Sequence, residues 1–165
     1  MNQSNPYAKQ LGGDEPMKVL ASTARKIEML VEELGGERLD QPLAPGKWSC
    51  REIICHLADC ELAFSFRLRQ TLAEDDHVIQ PFDQDKWSFC YATYETREAI
   101  NLFRAARSWN ISMLRAVDDD QKQRTVTHPE RGAMTFWTIV ETMAGHDLNH
   151  LAQLQTLAKS FARAH

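Results

Sequence analysis

Two histidines four residues apart, near the end of the chain, are the residues whose type and spacing could support chemistry. His146 and His150 lie in the run Gly145-His146-Asp147-Leu148-Asn149-His150. On an α-helix, side chains four residues apart share one face, so these two imidazoles could bind the same metal ion. A divalent metal usually needs a third ligand, and His56, in another helical segment, is the candidate. Three histidines would leave coordination positions open, as in a reactive metal site.

Spacing alone leaves other interpretations of these residues open. A histidine pair four residues apart also arises by chance, and a single histidine such as His56 is more often a hydrogen-bonded core residue. The pair His146 and His150 has the spacing of the HExxH motif of zinc proteases, with Asp147 in place of the glutamate base. Aspartate is one methylene shorter and reaches a metal-bound water less readily. We therefore interpret Asp147 as a carboxylate behind the ligands or on the surface.

Three further residues could take part in such a site. Asp59, three residues after His56, could orient a water or an imidazole, or could be a solvated carboxylate. Cys60 could be a fourth ligand that closes the site, although such a cysteine is more often a small buried apolar residue. His128 is predicted to lie at the rim of the pocket, where it could contact a cofactor; a solvated loop histidine is the alternative.

The elements that must position these residues are predicted to be four amphipathic helices. We predict helices over residues 17–34, 49–72, 93–117 and 135–161, and a short hairpin or ordered turn over 124–135. Gly35-Gly36 ends the first helix, Ser49 and Glu52 form a capping box at the start of the second, and Thr135 caps the fourth. Four such helices with substantial connections predict an all-α fold, an antiparallel four-helix bundle.

Length and composition agree with one globular domain over residues 1–165, with a core of about residues 17–160. Hydrophobic residues make up 43% and charged residues 25%, which is ordinary for a soluble protein. The net charge of −4 provides no basic footprint, so we expect no nucleic-acid partner. No apolar run approaches the ~20 residues that cross a bilayer, so we expect no membrane partner either.

Cysteine usage and the N-terminus indicate a cytoplasmic protein. The first seven residues have neither a basic start nor an apolar stretch, so no secretory signal is visible. Cys50, Cys55 and Cys60 follow one another at five-residue steps on one predicted helix, where neighbours point about 140° apart and cannot easily pair. Together with Cys90 they are expected to be free thiols in a reducing compartment.

Three motifs in the right order resemble a known family. Trp48-Ser49-x-x-Glu52-x-x-x-His56-Leu57-Ala58-Asp59 resembles the second-helix motif of the DinB-like (DinB/YfiT) family. His128-Pro129-Glu130-Arg131-Gly132 and Gly145-His146-Asp147-x-x-His150-Leu151-Ala152-Gln153 resemble that family's closing motif. The resemblance extends from about residue 17 to residue 158.

The resemblance implies a four-helix bundle in which His56, His146 and His150 bind a divalent metal, most often nickel or zinc, with waters in the remaining positions. Members of the family include bacillithiol-dependent transferases, a mycothiol-dependent maleylpyruvate isomerase and proteins labelled metal-dependent hydrolases, and homodimers are common. We therefore expect a metal-dependent hydrolase or a thiol-dependent S-transferase that activates water or a low-molecular-weight thiol against a small-molecule substrate. The alternative is a non-catalytic metalloprotein, or a dimeric binding module in which the metal is structural.

Overall fold

Four long helices and one small hairpin make up the structure, a computed structural model that describes residues 5–162. The helices are α1 (Pro16–Leu34), α2 (Cys50–Ala73), α3 (Thr96–Leu114) and α4 (Phe136–Ala162), and the hairpin pairs β1 (Thr125–His128) antiparallel with β2 (Gly132–Thr135). Helical turns at Ala8–Leu11, Gln84–Trp87 and Asp119–Lys122 and 3₁₀ turns at Gly36–Arg38 and Ser88–Thr93 lie between them. The predicted four-helix bundle is confirmed, and so is the hairpin.

The helix starts follow local hydrogen-bonding signals. Ser49 Oγ accepts the Glu52 N–H at 3.3 Å and the Glu52 carboxylate accepts the Ser49 N–H at 2.7 Å, so the predicted capping box is confirmed. Thr135 Oγ1 accepts the Thr138 N–H at 3.1 Å, as predicted for the cap of α4. The third helix was predicted too long at both ends: residues 93–95 precede its first turn, because the backbone at Tyr94 is extended, and the helix ends at Leu114 rather than at residue 117. The first residues of the chain, 1–4, and the last, 163–165, lie outside the described residues.

The order of the helices around the bundle brings α2 and α4 together. Helix α1 packs on α3 and α4, and α2 packs on the same two helices, so α1 and α2 face each other across the diagonal. Helices α2 and α3 run in the same direction, so the predicted antiparallel arrangement does not hold for this pair: Arg107 bonds Glu61, and Asn110, further along α3, bonds Ser65, further along α2. Parallel neighbours cannot be joined by a tight turn, which explains why residues 74–95 return along the bundle as a long crossover.

A polar layer divides the core into two apolar clusters. One cluster adjoins the hairpin and includes Leu20, Phe64, Leu68, Val126, Phe136 and Val140. The other lies towards the opposite end and includes Ile27, Ile54, Leu57, Tyr91, Phe103 and Leu154. Burial of each such side chain contributes about 1.5–3 kcal/mol. The layer between them consists of buried polar side chains, namely Glu61, Arg107, Asn110, Asp147 and the histidines His56, His146 and His150.

The described part of the chain adds two observations on its environment. No helix within residues 5–162 is both long and apolar enough to cross a bilayer. The four cysteines are unpaired, with three of them buried and Cys90 partly exposed, as the spacing predicted.

Candidate metal centre

The three predicted ligands meet in the polar layer. His56 from α2 is 1% exposed, and His146 and His150 from α4 are 4% and 5% exposed. One ring nitrogen of each lies within 4.8 Å of the other two, and the Nε2 atoms of His56 and His146 are 3.1 Å apart. Two nitrogens bound to one tetrahedral ion at ~2.1 Å lie about 3.4 Å apart, so small ring rotations suffice to place all three around one metal. The arrangement fits a divalent metal.

Burial keeps the three imidazoles neutral. Desolvation, assisted by His150, lowers the pKa of His56 to about 3. Desolvation likewise holds the pKa of His146 well below its usual value, with His150, His56 and Arg107 adding to the effect. The pKa of His150 is also lowered by burial, although the hydrogen bond that His150 donates to Gln153 acts in the opposite direction. Because metals bind the neutral form of imidazole, the rings are in the state that a metal requires at neutral pH.

Two contacts show where the lone pairs of the rings point. His150 Nδ1 lies 3.1 Å from the amide oxygen of Gln153, which can only accept, so Nδ1 carries the proton and Nε2 holds the lone pair. Such a bond on the far nitrogen orients a metal-binding histidine. At 3.1 Å, the Nε2 atoms of His56 and His146 can share at most one hydrogen between neutral rings, whereas a cation beside both nitrogens would satisfy both. Gln153 is the last residue of the closing motif, but no role was predicted for it from the sequence.

An ionic cluster of Arg107, Glu61, Asp147 and Asn110 stands beside the histidines. Arg107, 3% exposed, donates to Glu61 at 2.8 and 3.1 Å and to Asp147 at 2.5 and 3.1 Å. It also donates to the Leu20 carbonyl of α1, so this one side chain joins all four helices. Burial opposes the charge, but Asp147 and Glu61 outweigh it and raise the pKa of Arg107. Asp147 is thus not on the surface, as one alternative had it; it lies behind the ligands, and both its oxygens accept from Arg107.

Two cavities reach the histidines from different sides. The large cavity, about 790 Å³, is lined by His150 together with Leu43, Lys47, Trp48, Ile53 and Asn149. The small cavity, about 180 Å³, is lined by His56 and His146 together with Cys60, Arg67, His128 and Arg131. Tyr7 and Gln84 line both cavities, so the two adjoin at these residues. The histidine cluster is therefore open to ligands of more than water size.

Aromatic rings hold the imidazoles in place. The Trp48 ring lies 4.8 Å from His56 and stacks at 6.5 Å on His150, measured between centroids. The Tyr7 ring meets His146 edge-on at 5.2 Å. Tyr7 can approach because residue 145 is glycine: a Cβ there would lie 2.5 Å from the Tyr7 carbonyl oxygen. Sequence reasoning missed Tyr7, and the glycine in the middle of α4, a poor helix former, was the signal that could have led to it.

The other predicted residues fall at different distances from the cluster. Asp59 accepts the Tyr91 hydroxyl at 2.9 Å and lines neither cavity, so its role in orienting water stays a prediction. Cys60 Sγ is 3.5 Å from His56 Nε2, and burial strongly raises the pKa of its thiol. Cys60 is buried and belongs to the apolar cluster that adjoins the hairpin, which agrees with the packing role. His128 is buried and lines the small cavity beside His56 and His146.

Fold and site together define a four-helix bundle with a three-histidine cluster suited to a metal. Residues 20–154 match the sequence model of the DinB superfamily, and the chain belongs to this superfamily. It is 31% identical over 168 residues to "Putative metal-dependent hydrolase OB0782" of Oceanobacillus iheyensis, covering 96% of this chain and 98% of that protein. It is 26% identical to "Putative metal-dependent hydrolase YfiT" of Bacillus subtilis, covering 88% and 84% of the two chains.

The solved structure of YfiT from Bacillus subtilis has the same fold. It superposes with a TM-score of 0.83 at 25% identity, over 90% of this chain and 87% of that chain. That protein is described as "a probable metal-dependent hydrolase with an unusual four-helix bundle topology". The parallel neighbours α2 and α3 and the crossover of residues 74–95 are what departs from a simple up-and-down bundle here.

Proposed function

We propose that this protein is a metal-dependent hydrolase of small organic molecules, with one divalent ion, nickel or zinc, held by His56, His146 and His150. One observation carries the proposal: three neutral imidazoles from two helices converge within 4.8 Å and face two cavities. The names of the relatives point to the same class of reaction.

Residues around the proposed ion have separate roles in holding it and in binding a substrate. A divalent metal on three imidazoles supplies Lewis-acid chemistry, lowering the pKa of a water or a thiol in an open position. The hydrogen bond of His150 Nδ1 to Gln153 leaves the Nε2 lone pair free to bind the ion, and Trp48, which packs on His56 and His150, would limit the access of bulk water to these rings. The large cavity provides apolar walls for the body of an organic substrate, with the polar side chains of Lys47 and Asn149 to orient it.

Thiol-dependent transfer is the second candidate, and the size of the large cavity favours it. At about 790 Å³ the cavity has room for a low-molecular-weight thiol in addition to part of a substrate. A purely structural metal is disfavoured, because cavities reach the cluster from two sides. All three histidines come from one chain, so the expected homodimer is not needed to complete the site; dimer formation and a cytoplasmic location stay predictions.

The first test is the metal content of the untagged protein by mass spectrometry. Wild type is expected to carry about one nickel or zinc ion per chain, and His56→Ala and His150→Ala to carry none. His77→Ala is the control, because His77 pairs with Glu74 away from the cluster and should keep the metal. Absence of metal from wild type after supplementation would refute the proposal.

A second test asks whether the ion has an open position. Cobalt-substituted protein is titrated with a small thiol while its visible and near-ultraviolet spectrum is recorded. A new sulfur-to-cobalt charge-transfer band that saturates with the thiol means that the position is open, as either reaction requires. A spectrum that no added thiol or anion changes would identify a closed, structural site. Turnover of ester and amide panels with and without thiol then separates hydrolysis from transfer.

A further inference from the structure

The small cavity beside the histidines has a basic lining. Arg67 from α2 and His128 and Arg131 from the hairpin line it, on the same walls as His56 and His146. Its volume of about 180 Å³ is that of roughly six waters, at ~30 Å³ each. The space accepts a small charged group next to the proposed metal, but not the body of an organic molecule.

Neither guanidinium forms an ion pair with a carboxylate in the part of the chain that the structure describes. Within residues 5–162 no side chain forms a hydrogen bond or an ion pair with the Arg131 side chain, although its backbone N–H donates to His128. Among the same described residues, the Arg67 guanidinium donates only to the Gln80 carbonyl, at 3.2 Å, and it lies over the ring of Phe82. Most of their hydrogen-bond donors are therefore available to a ligand.

His128 adds a third donor. Its Nδ1 accepts the Glu130 backbone N–H at 3.2 Å, so the proton of the neutral ring is on Nε2. Burial lowers the pKa of His128, and Arg131 and Arg67 lower it further, which agrees with both cations facing this ring. Burial likewise lowers the pKa of Arg67, with a contribution from Arg131. Two like charges thus face one another across a confined space.

Acidic residues compensate little of this charge. Glu130 is the acidic side chain in the lining, and it lies at the exposed end of the hairpin loop. By contrast, the buried Arg107 a short distance away is matched by two carboxylates. An oxyanion placed between Arg67, Arg131 and His128 would supply the missing negative charge and would accept charge-assisted hydrogen bonds from them.

We propose that the small cavity binds an oxyanionic group of the substrate, a carboxylate or a phosphate, between Arg67, Arg131 and His128. The inference rests on the proposed function and narrows it to anionic substrates. The anionic end would occupy the small cavity and the organic body the large one, because both cavities share Tyr7 and Gln84 as lining. The bond to be attacked would then lie between them, at the histidine cluster.

The test measures anion binding rather than turnover. Zinc-loaded wild type is titrated with inorganic phosphate and, separately, with acetate by isothermal calorimetry. Arg131→Gln is expected to weaken binding roughly tenfold or more while leaving the metal content unchanged, because it removes a charge-assisted donor. Arg131→Lys should recover part of the affinity. The relative affinities of the two anions identify which oxyanion the cavity prefers.

Two controls make the result specific. Arg25→Gln makes the same chemical change at an exposed position on α1 and should leave anion binding as in wild type. Glu130→Gln should tighten binding, since it removes negative charge from the lining. Each variant is first shown to melt within a few degrees of wild type.

The outcomes separate this inference from the proposed function. Normal metal content with equal anion affinity in wild type and Arg131→Gln would overturn the inference alone, as would the absence of saturable binding of either anion. Protein without metal would refute the proposed function. The same titrations on that metal-free protein would still decide the anion subsite, since its three donors belong to the chain.

Discussion

The ionic cluster and the histidine cluster share the polar layer and are buried to a similar extent, yet their polar atoms are satisfied in different ways. The Arg107 guanidinium donates hydrogen bonds to Glu61, Asp147 and the Leu20 carbonyl, so the ionic cluster is satisfied without any ligand. The facing Nε2 atoms of His56 and His146 can share at most one hydrogen, and a cavity borders both rings. A complete polar cluster serves the fold, whereas an incomplete one beside a cavity indicates a ligand.

The two clusters also complement each other electrically. The ionic cluster sets two carboxylates against one guanidinium, and Asp147 directly follows the ligand candidate His146 in the chain. Burial lowers the pKa of His150, but Asp147 raises it and so favours positive charge there. Burial also lowers the pKa of His146, and Arg107 lowers it further. With two carboxylates to one guanidinium, the net charge of the ionic cluster favours a cation in the histidine cluster, and does so more than in water because the local dielectric constant is low.

The largest expected loss of stability comes from removing Arg107 from the ionic cluster. Arg107→Ala leaves Glu61 and Asp147 buried without a counter-ion and should lower the free energy of unfolding by about 3–5 kcal/mol. Arg104→Ala, one turn away, removes an exposed pair with Glu28 and should cost less than about 1 kcal/mol. Urea unfolding of both variants measures the contrast. Equal losses would mean that the ionic cluster does not hold the helices together.

Sequence patterns predicted one of these clusters better than the other. The histidines were found because their spacing on helices is itself the signal of a site, and the capping residues at Ser49 and Thr135 because capping is local. Arg107 and Glu61 were missed because amphipathic analysis assigns charged residues to the solvent side of a helix. Only the packing of α2, α3 and α4 around them shows that they neutralise one another.

The relative direction of neighbouring helices could not be predicted from the sequence either. A long connection such as residues 74–95 allows either direction for the next helix, so α2 and α3 could have been antiparallel. The contact of Tyr7 with His146 is similarly remote in the chain, and nothing local to Tyr7 specifies it. Motif spacing therefore identified the ligand candidates, whereas tertiary packing determined the cavities around them.

A metal bound at the histidine cluster should stabilise the fold. A ligand that binds only the folded state at a hundred times its dissociation constant adds about 2.7 kcal/mol. Zinc or nickel should therefore raise the unfolding free energy of wild type by about this amount over protein in chelator, and should not do so for His146→Ala. Denaturant unfolding with and without metal measures it. Equal stabilisation of wild type and the variant would place the metal elsewhere.

Acid should weaken the metal-free fold through the same histidines. An unfolded histidine takes up a proton near pH 6.5, but His56 in the folded protein does so only near about 3. The unfolded state thus binds more protons below about pH 6.5, and stability that is complete above this pH is lost as the pH falls towards 3. At about pH 5 the loss from His56 alone should be about 2 kcal/mol. Urea unfolding in chelator, at about pH 5 and above pH 6.5, measures this loss. The unfolding free energy of His56→Asn should depend less on pH than that of wild type. The same pH dependence in both proteins would contradict the lowered pKa of His56.

The smallest effect, and the one whose sign is most informative, concerns the frame of the histidine cluster. In an exposed helix, glycine to alanine stabilises by up to about 1 kcal/mol. Gly145→Ala should instead destabilise by about 1–2 kcal/mol, because its Cβ would meet the Tyr7 carbonyl oxygen at 2.5 Å, and overpacking forces backbone to move. Gly13→Ala, where a Cβ meets nothing within 4 Å, is the control.

Displacement of Tyr7 in Gly145→Ala should also weaken metal binding, since the Tyr7 ring packs edge-on against His146. A stabilised Gly145→Ala protein with unchanged metal affinity would mean that residues 5–11 do not form part of the site.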